Sequence, residues 1–313
     1  MNRMTYCAMA LAALLAACSS KPAAPRAVEV VDEVVINNHN ALTQDFAHAL
    51  SQATLLRDDA AVEDLAGAET YEHDVNALVH SLQDAEALAA KTVNEPLPGD
   101  KDKAQMFASQ MQQQMEAALT GAKELDQDVL AGHDAADALA SKAAGVEESI
   151  RQAGEAHAGL MNNILRVETV EVAVWEDILP HHDLAANHAK ALERIDGMLA
   201  HDSAMKDWKA FWTKGAAEID RRLQAADAVL PAARARIGEA ARPAIEGIGR
   251  LQASAREKIA TLQQELSKAK PSFEKAKASL EDARDELMKA EAAHRKLMKD
   301  HDLKPYPMYG SVS

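Results

Sequence analysis

Cysteine is nearly absent: the 313 residues hold only Cys7 and Cys18. That excludes a disulfide framework or cysteine metal set in the body of the chain, and covalent haem with it. Aromatic residues are 4%, so the 48% hydrophobic content is mostly small and aliphatic side chains. Glycine and proline are few, at 13 and 10, a composition suited to long helices. Basic charge is also scarce, with 34 Lys and Arg against 49 Asp and Glu, a formal net −15. A nucleic-acid partner is therefore not expected, because phosphate binding needs a basic surface. No Gly-x-Ser-x-Gly, His-Glu-x-x-His or phosphate loop occurs, and no catalytic constellation emerges, so an enzyme is not expected.

What the chain has is a stripe. From Ile245 to Leu297 every third or fourth residue returns to one face: Ile245, Ile248, Gln252, Ala255, Ile259, Leu262, Leu266, Ala269, Phe273, Ala276, Leu280, Ala283, Leu287, Ala290, His294 and Leu297. All are apolar except Gln252 and His294, and mostly charged residues lie between them. Spacing of this kind marks a helical seam buried against a partner helix. Unbroken, it would run about 80 Å at 1.5 Å per residue. Pro271 lies inside it; a proline removes a helix hydrogen bond, and because the heptad phase continues past it we expect a kink, with a tight hairpin as the alternative. The fold class expected is all-α, an elongated bundle of long antiparallel helices with coiled-coil-like packing.

The N-terminus carries Arg3 and an apolar run from Ala8 to Ala17, the length of a signal-peptide core and too short for a membrane span. It ends in Leu15-Ala16-Ala17-Cys18 followed by Ser19-Ser20, which resembles the lipobox of bacterial lipoproteins. The resemblance implies removal of residues 1–17, acyl chains such as palmitate on Cys18, and an outer-membrane address on the periplasmic face. Two or more acyl chains anchor stably, each methylene contributing about 0.8 kcal/mol. The membrane is thus one expected partner, through the lipid. Residues 18–38, with Pro22 and Pro25, suit a semi-extended tether. The β-branched run Val28 to Ile36 has no second strand to pair with, and helix is favoured there.

Residues 39–300 are expected to form the bundle. Helical stripes run from about Asn40 to Arg57, from Ala60 to Val93, from Lys101 to Leu179 with a break possible near Gly132 or Gly145, and from Leu184 to Leu230. Pro96, Pro98 and Gly99 end the second; Pro180, Pro231 and Pro243 punctuate later turns. Residues 301–313, with Pro305 and Pro307, are expected as a non-helical tail.

Tyr71 on a helix, the turn Pro96-Leu97-Pro98-Gly99-Asp100-Lys101-Asp102-Lys103, and the Met/Gln/Ala helix after it resemble the YiiG-type helical lipoproteins, over roughly Leu65 to Val170. The aromatics associated with that turn are missing here. The resemblance implies a helical envelope lipoprotein, transfers no active site, and leaves the molecular role unknown.

The densest ligand-type group is Asp177, His181, His182 and His188, with His181 and His188 seven apart on one helical face. Glu291 and His294 have the Glu-x-x-His spacing of di-iron bundles, but no second such pair exists to complete that site. Met106, Met111 and Met115 could offer a soft-metal face; methionine more often fills core gaps. Trp208 and Trp212, four apart, are expected in the core. Trp175, Ile178 and Leu179 would form an exposed apolar docking tip if a hairpin turned at 179–182. Between Arg221 and Lys258 eight bases face four acids; they offer either a patch for an anionic partner or internal pairing with the acid-rich Asp58 to Asp74 segment. No cofactor is required by any motif. The function expected is a lipid-anchored scaffold or interaction protein with a protein partner in the envelope. The alternatives are a periplasmic metal- or ligand-binding bundle, and an inhibitor or immunity lipoprotein.

Overall fold

The computed structural model describes residues 33–61, 69–93, 99–132, 135–165, 175–201, 203–236 and 241–301, apart from a few side chains at helix ends. The lipobox, most of the tether and the C-terminal tail lie outside the described residues. Within them the chain is all helix: α1 Glu33–Ala60, α2 Glu69–Val93, α3 Lys101–Ala131, α4 Ala136–Leu165, α5 Trp175–Leu199, α6 Trp208–Arg236, α7 Arg242–Ser267 and α8 Phe273–Asp300. No strand occurs among the described residues. No helix there is long and apolar enough to cross a membrane.

The boundaries follow local chemistry. Asp100 caps α3 by accepting from the Lys103 N–H at 3.2 Å. Gly132 closes the same helix at φ +63°, a left-handed conformation that costs glycine nothing, and its N–H returns to Asp128 and Val129. The break in the third stripe is therefore at Gly132, whereas Gly145 continues inside α4. Pro180 and Pro231 are both accommodated within helices, α5 and α6. The fourth stripe divides: α5 ends at Leu199 and α6 begins at Trp208, with Asp207 at φ +67° in the connection, a region that Asp tolerates better than most residues.

The long C-terminal stripe is a hairpin, which corrects the kinked rod. Helix α7 stops at Ser267, Pro271 sits in the connection, and Ser272 caps α8 by accepting from Lys275 N–H. The Glu265 carboxylate takes the Ser272 N–H at 2.8 Å. Proline cannot donate at that point and the capped serine restarts a helix. The stripe keeps its phase because both arms face the same core.

The eight helices close two rings. In the first, α1 packs on α2 and α4, and α3 on α2 and α4; in the second, α5 packs on α6 and α8, and α7 on α6 and α8. Each ring is an up-down-up-down four-helix bundle, and α1 against α5 joins them. Two hydrophobic cores result. One holds Leu42, Phe46, Tyr71, Leu78, Met111, Met115 and Ile150; the other holds Ile195, Trp212, Ile219, Leu262, Leu280 and Leu287. Full burial of each such aliphatic side chain stabilises the fold by about 1.5–3 kcal/mol. Small residues bring helices close: a Cβ at Gly159 would meet the Phe107 ring at 2.5 Å, and one at Gly249 would meet Leu230 at 2.8 Å. Trp208, Trp212 and Phe273 pack edge-to-face and tilted, with ring centroids 5.0–6.0 Å apart, under the α7–α8 turn, closing that end of the second bundle.

Candidate functional site

Among the described residues seven histidines are buried: His39, His48, His157, His181, His182, His188 and His294. An ionised imidazole in such places would be costly, and the hydrogen bonds show how the neutral form is held. In the first bundle, His39 Nδ1 (α1) lies 3.0 Å from His157 Nε2 (α4), with the rings stacked. Thr43 donates its only hydroxyl hydrogen to the His39 carbonyl, so its oxygen accepts from His157 Nδ1 at 3.3 Å. His157 Nε2 is then an acceptor, His39 Nδ1–H donates to it, and His39 Nε2 is left buried without a partner. One extra proton on this pair would create a buried N–H with nothing to accept it.

In the second bundle, His181 Nδ1 (α5) meets His294 Nε2 (α8) at 3.1 Å, again stacked. Two turns on, His188 Nε2–H donates to Gln252 Oε1 (α7) at 2.8 Å. The Gln252 amide is oriented by its two acceptors, the Leu223 carbonyl and the Asp227 carboxylate (α6), and Arg256 holds the other Asp227 oxygen. The two polar residues of the organising stripe, Gln252 and His294, are thus the partners of the two histidines spaced seven apart on α5. Burial pushes His39, His181 and His188 down to about 4, and His157 and His294 well below the ordinary imidazole value.

The three histidines of the expected metal set are therefore buried, but they diverge. His181 faces His294, His188 faces Gln252, and His182 turns toward α1, edge-on to His48 at 5.7 Å. Asp177 is half-buried at the start of α5. Adjacent residues on a helix point about 100° apart, which sends His181 and His182 to different bundles. Among the described residues no group of three His, Cys, Asp or Glu side chains is gathered closely enough to hold a metal ion. Glu291 is buried beside Arg295 at 3.6 Å. Met111 and Met115 are core residues, while Met106 is exposed.

The apolar docking tip is corrected. The chain is continuous helix through 179–182, Ile178 is 2% exposed within the first core, and Leu179 packs against it half-buried. The Trp175 side chain lies outside the described residues. Ile178 reaches the first bundle from a helix of the second, so what looked like a free knob is part of the joint. The basic segment is paired within the protein: buried Arg222 and half-exposed Arg221 both bind Asp59, Arg256 binds Asp220 and Asp227, and Arg234 and Arg242 bind Glu246 at the surface.

Where α1, α2, α5 and α6 meet, a cavity of about 90 Å³ opens, lined by Asp59, Tyr71, Asp74, Lys190, Glu193, Arg194, Gly197 and Glu218. Lys190 bonds both Asp74 and Glu193, and Arg194 pairs with Glu218 at 2.9 Å. Burial raises Asp74 to about 6 despite Lys190, and raises Glu218 as well. Tyr71 is 2% exposed and its hydroxyl has no hydrogen-bond partner. Burial and the neighbouring charges of Asp59 and Asp74 keep that phenol protonated. None of these residues stood out as a site in the sequence, since each is an ordinary position of its own helix and the set is assembled from four helices. His39 and His157 were likewise missed, although His157 interrupts the apolar stripe of α4 as His294 interrupts that of α8.

The chain matches no family model, no curated protein and no solved structure at a significant level.

Proposed function

We propose that this protein is a lipid-anchored, non-catalytic interaction protein of the bacterial envelope, held by Cys18 at the periplasmic face of the outer membrane. The Leu15-Ala16-Ala17-Cys18 motif after a short apolar run supports the anchor, as does the polar segment between it and the first helix. The observation that carries the interaction role is where the charge lies. The chain is −15 overall, while Arg57, Lys190, Arg194, Arg222, Arg256 and Arg284 are engaged in ion pairs between helices. The outward field is therefore acidic, and it fits a basic protein partner brought in by electrostatic attraction. Long apolar faces do not serve this role, because the stripes are consumed by the two cores. The cavity between the bundles favours a second role, in small-ligand binding.

Two outcomes test the proposal. Replacing Cys18 with serine should move the protein from the membrane fraction to the soluble periplasmic fraction and abolish palmitate labelling; unchanged fractionation contradicts the anchor. The tethered protein, captured from envelopes at low ionic strength, should retain a basic protein that is released by about 0.5 M salt, where screening is short-ranged. Retention of nothing, or retention indifferent to salt, contradicts the acidic-surface role.

A further inference from the structure

We propose that the end of the second bundle formed by the α5–α6 connection and the α7–α8 turn is a docking surface for an anionic phospholipid bilayer. The binding goes beyond the tethered interaction role; only its orientation in the envelope rests on the anchor at Cys18.

Charge is divided unequally between the bundles. Residues 33–165 carry 7 Lys and Arg against 23 Asp and Glu, whereas residues 175–301 carry 22 against 21. The acidic excess therefore belongs to the first bundle. Within the second, the end in question is basic: residues 200–214 and 264–278 hold seven lysines against four acids. One of those acids, Glu265, is buried and is taken by Lys268 and the Ser272 N–H. Lys206 and Lys270 are exposed and enter no ion pair within the described residues. The opposite end of this bundle has bases too, but they are engaged: Arg234 and Arg242 with Glu246, Arg295 with Glu291, and Lys296 with Asp300.

Geometry sets this end apart from the acidic bundle. Helices α1 and α5 run the same way, since His48 meets His182 while Asp59 and Gly197 line one cavity. Asp196 pairs with Arg284 of α8, so that level marks where α1 ends at Ala60. From Arg284 back to its start at Phe273, α8 projects about 16 Å further at 1.5 Å per residue. Screening decays over about 8 Å at physiological ionic strength, so an approaching surface meets the lysines before the acidic bundle repels it. Helix α1 begins at Glu33, at the far end. With Cys18 anchored, the basic end points away from the bilayer that holds the protein and toward a facing one.

Side-chain chemistry selects the partner. Trp208, Phe211, Pro271 and Phe273 are half-buried beside the lysines. Aromatic rings placed between core and solvent suit the headgroup layer of a bilayer, where Trp is enriched. All seven bases are lysine and none is arginine. Arginine suits paired bonding to a single phosphate, whereas lysine is a point charge that suits a diffuse negative surface. A soluble acidic polymer would be held by the charges alone and would leave the rings unused.

The test uses the chain from Cys18 onward, which contains every described helix and no other cysteine, coupled through the Cys18 thiol to beads. Natural acylation is not needed, so a failed anchor cannot mimic a failed docking surface. Fluorescent vesicles of phosphatidylcholine, alone or with an equal part of phosphatidylglycerol, are passed over the beads in about 0.1 M salt. The mixed vesicles should be captured at least about tenfold better than the neutral ones, and about 0.5 M salt should release them. A lysine close to an anionic bilayer strengthens binding about fivefold, so Lys206→Gln with Lys270→Gln should cut capture about twentyfold. Lys289→Gln with Lys296→Gln removes the same charge from exposed positions lower on α8, and should leave capture within about twofold. Unchanged helical circular dichroism checks the fold of both. Equal capture of the two vesicle types would overturn the proposal. An equal loss in the two double variants would do the same, since net charge would then be the cause. Capture of soluble polyglutamate without capture of vesicles would assign this end to an acidic polymer and overturn the bilayer.

Discussion

Lowering the pH from 7.5 to 5 should cut the unfolding free energy by about 3 kcal/mol or more, read as a drop in the urea midpoint at constant slope. The buried histidines set the sign. His39, His181 and His188 are held near 4 in the folded chain by burial, against about 6.5 when unfolded. Between those values the unfolded chain binds more protons, so stability is complete above pH 6.5 and is lost as the pH falls through 6.5 toward 4. Each of the three forfeits about 2 kcal/mol by pH 5, and His157 and His294 shift the same way.

Some carboxyls oppose this. Burial raises Asp74 and Asp183 to about 6, so the folded chain gains their protons first, returning about 1.4 kcal/mol each by pH 5; Glu218 and Glu291 shift in the same sense. The histidines outnumber them and prevail. The groups facing these histidines reinforce the outcome. His39 faces His157 and Thr43; His181 faces His294, the Ala233 backbone and His301; His188 faces Gln252, with Asp227 beyond it. Only Asp227 is a carboxylate, and Gln252 and Arg256 already occupy it. The double substitution His181→Leu with His294→Leu removes one pair, and should shrink the pH 7.5-to-5 difference by about 2 kcal/mol or more. An undiminished difference would place the acid sensitivity elsewhere.

Asp59→Ala is expected to be the most damaging single change at the joint, costing about 3–5 kcal/mol. Arg222 is 2% exposed, burial already lowers its pKa, and Asp59 is its carboxylate partner. Removing Asp59 leaves a buried guanidinium without its carboxylate partner. Arg221, which is more exposed and 2.9 Å from the same carboxylate, would lose little. The double change Asp59→Leu with Arg222→Met should recover most of the loss, because replacing a whole buried pair by apolar residues is often neutral or better. A single-variant cost below about 1 kcal/mol, the range of an exposed ion pair, would show that the joint is hydrated rather than buried.

The helices were legible in the sequence because spacing at three and four residues reports one-sided burial directly. Even the polar exceptions were informative: Gln252 and His294 sit on the seam since their partners, His188 and His181, sit on the facing seam of α5. The chain reversals were less legible. A hairpin that returns the same face to the same core leaves the stripe's phase intact, so Pro271 read as a kink. The break before Trp208 was hidden in the same way, although His201-Asp202-Ser203 is a polar cluster that suits a turn. Pro180 and Pro231 misled in the opposite direction, for both lie within helices. The cavity could not be read at all. Its wall joins Asp59, Tyr71 and Asp74 to Lys190, Arg194 and Glu218, more than a hundred residues apart, and no periodicity within one helix encodes which charges meet across four.

Folding back at Pro271 brings His294 beside His181 and closes the second bundle, and a distance across the hairpin tests it most directly. Spin labels at Arg250→Cys and Ala292→Cys, both exposed positions on opposite arms, can be placed in a chain that begins after Cys18. Packed helices lie about 8–10 Å apart, so with label tethers the pair should fall within about 25 Å. A continuous helix would hold them about 63 Å apart at 1.5 Å per residue, and a distribution centred there would contradict the two-bundle account.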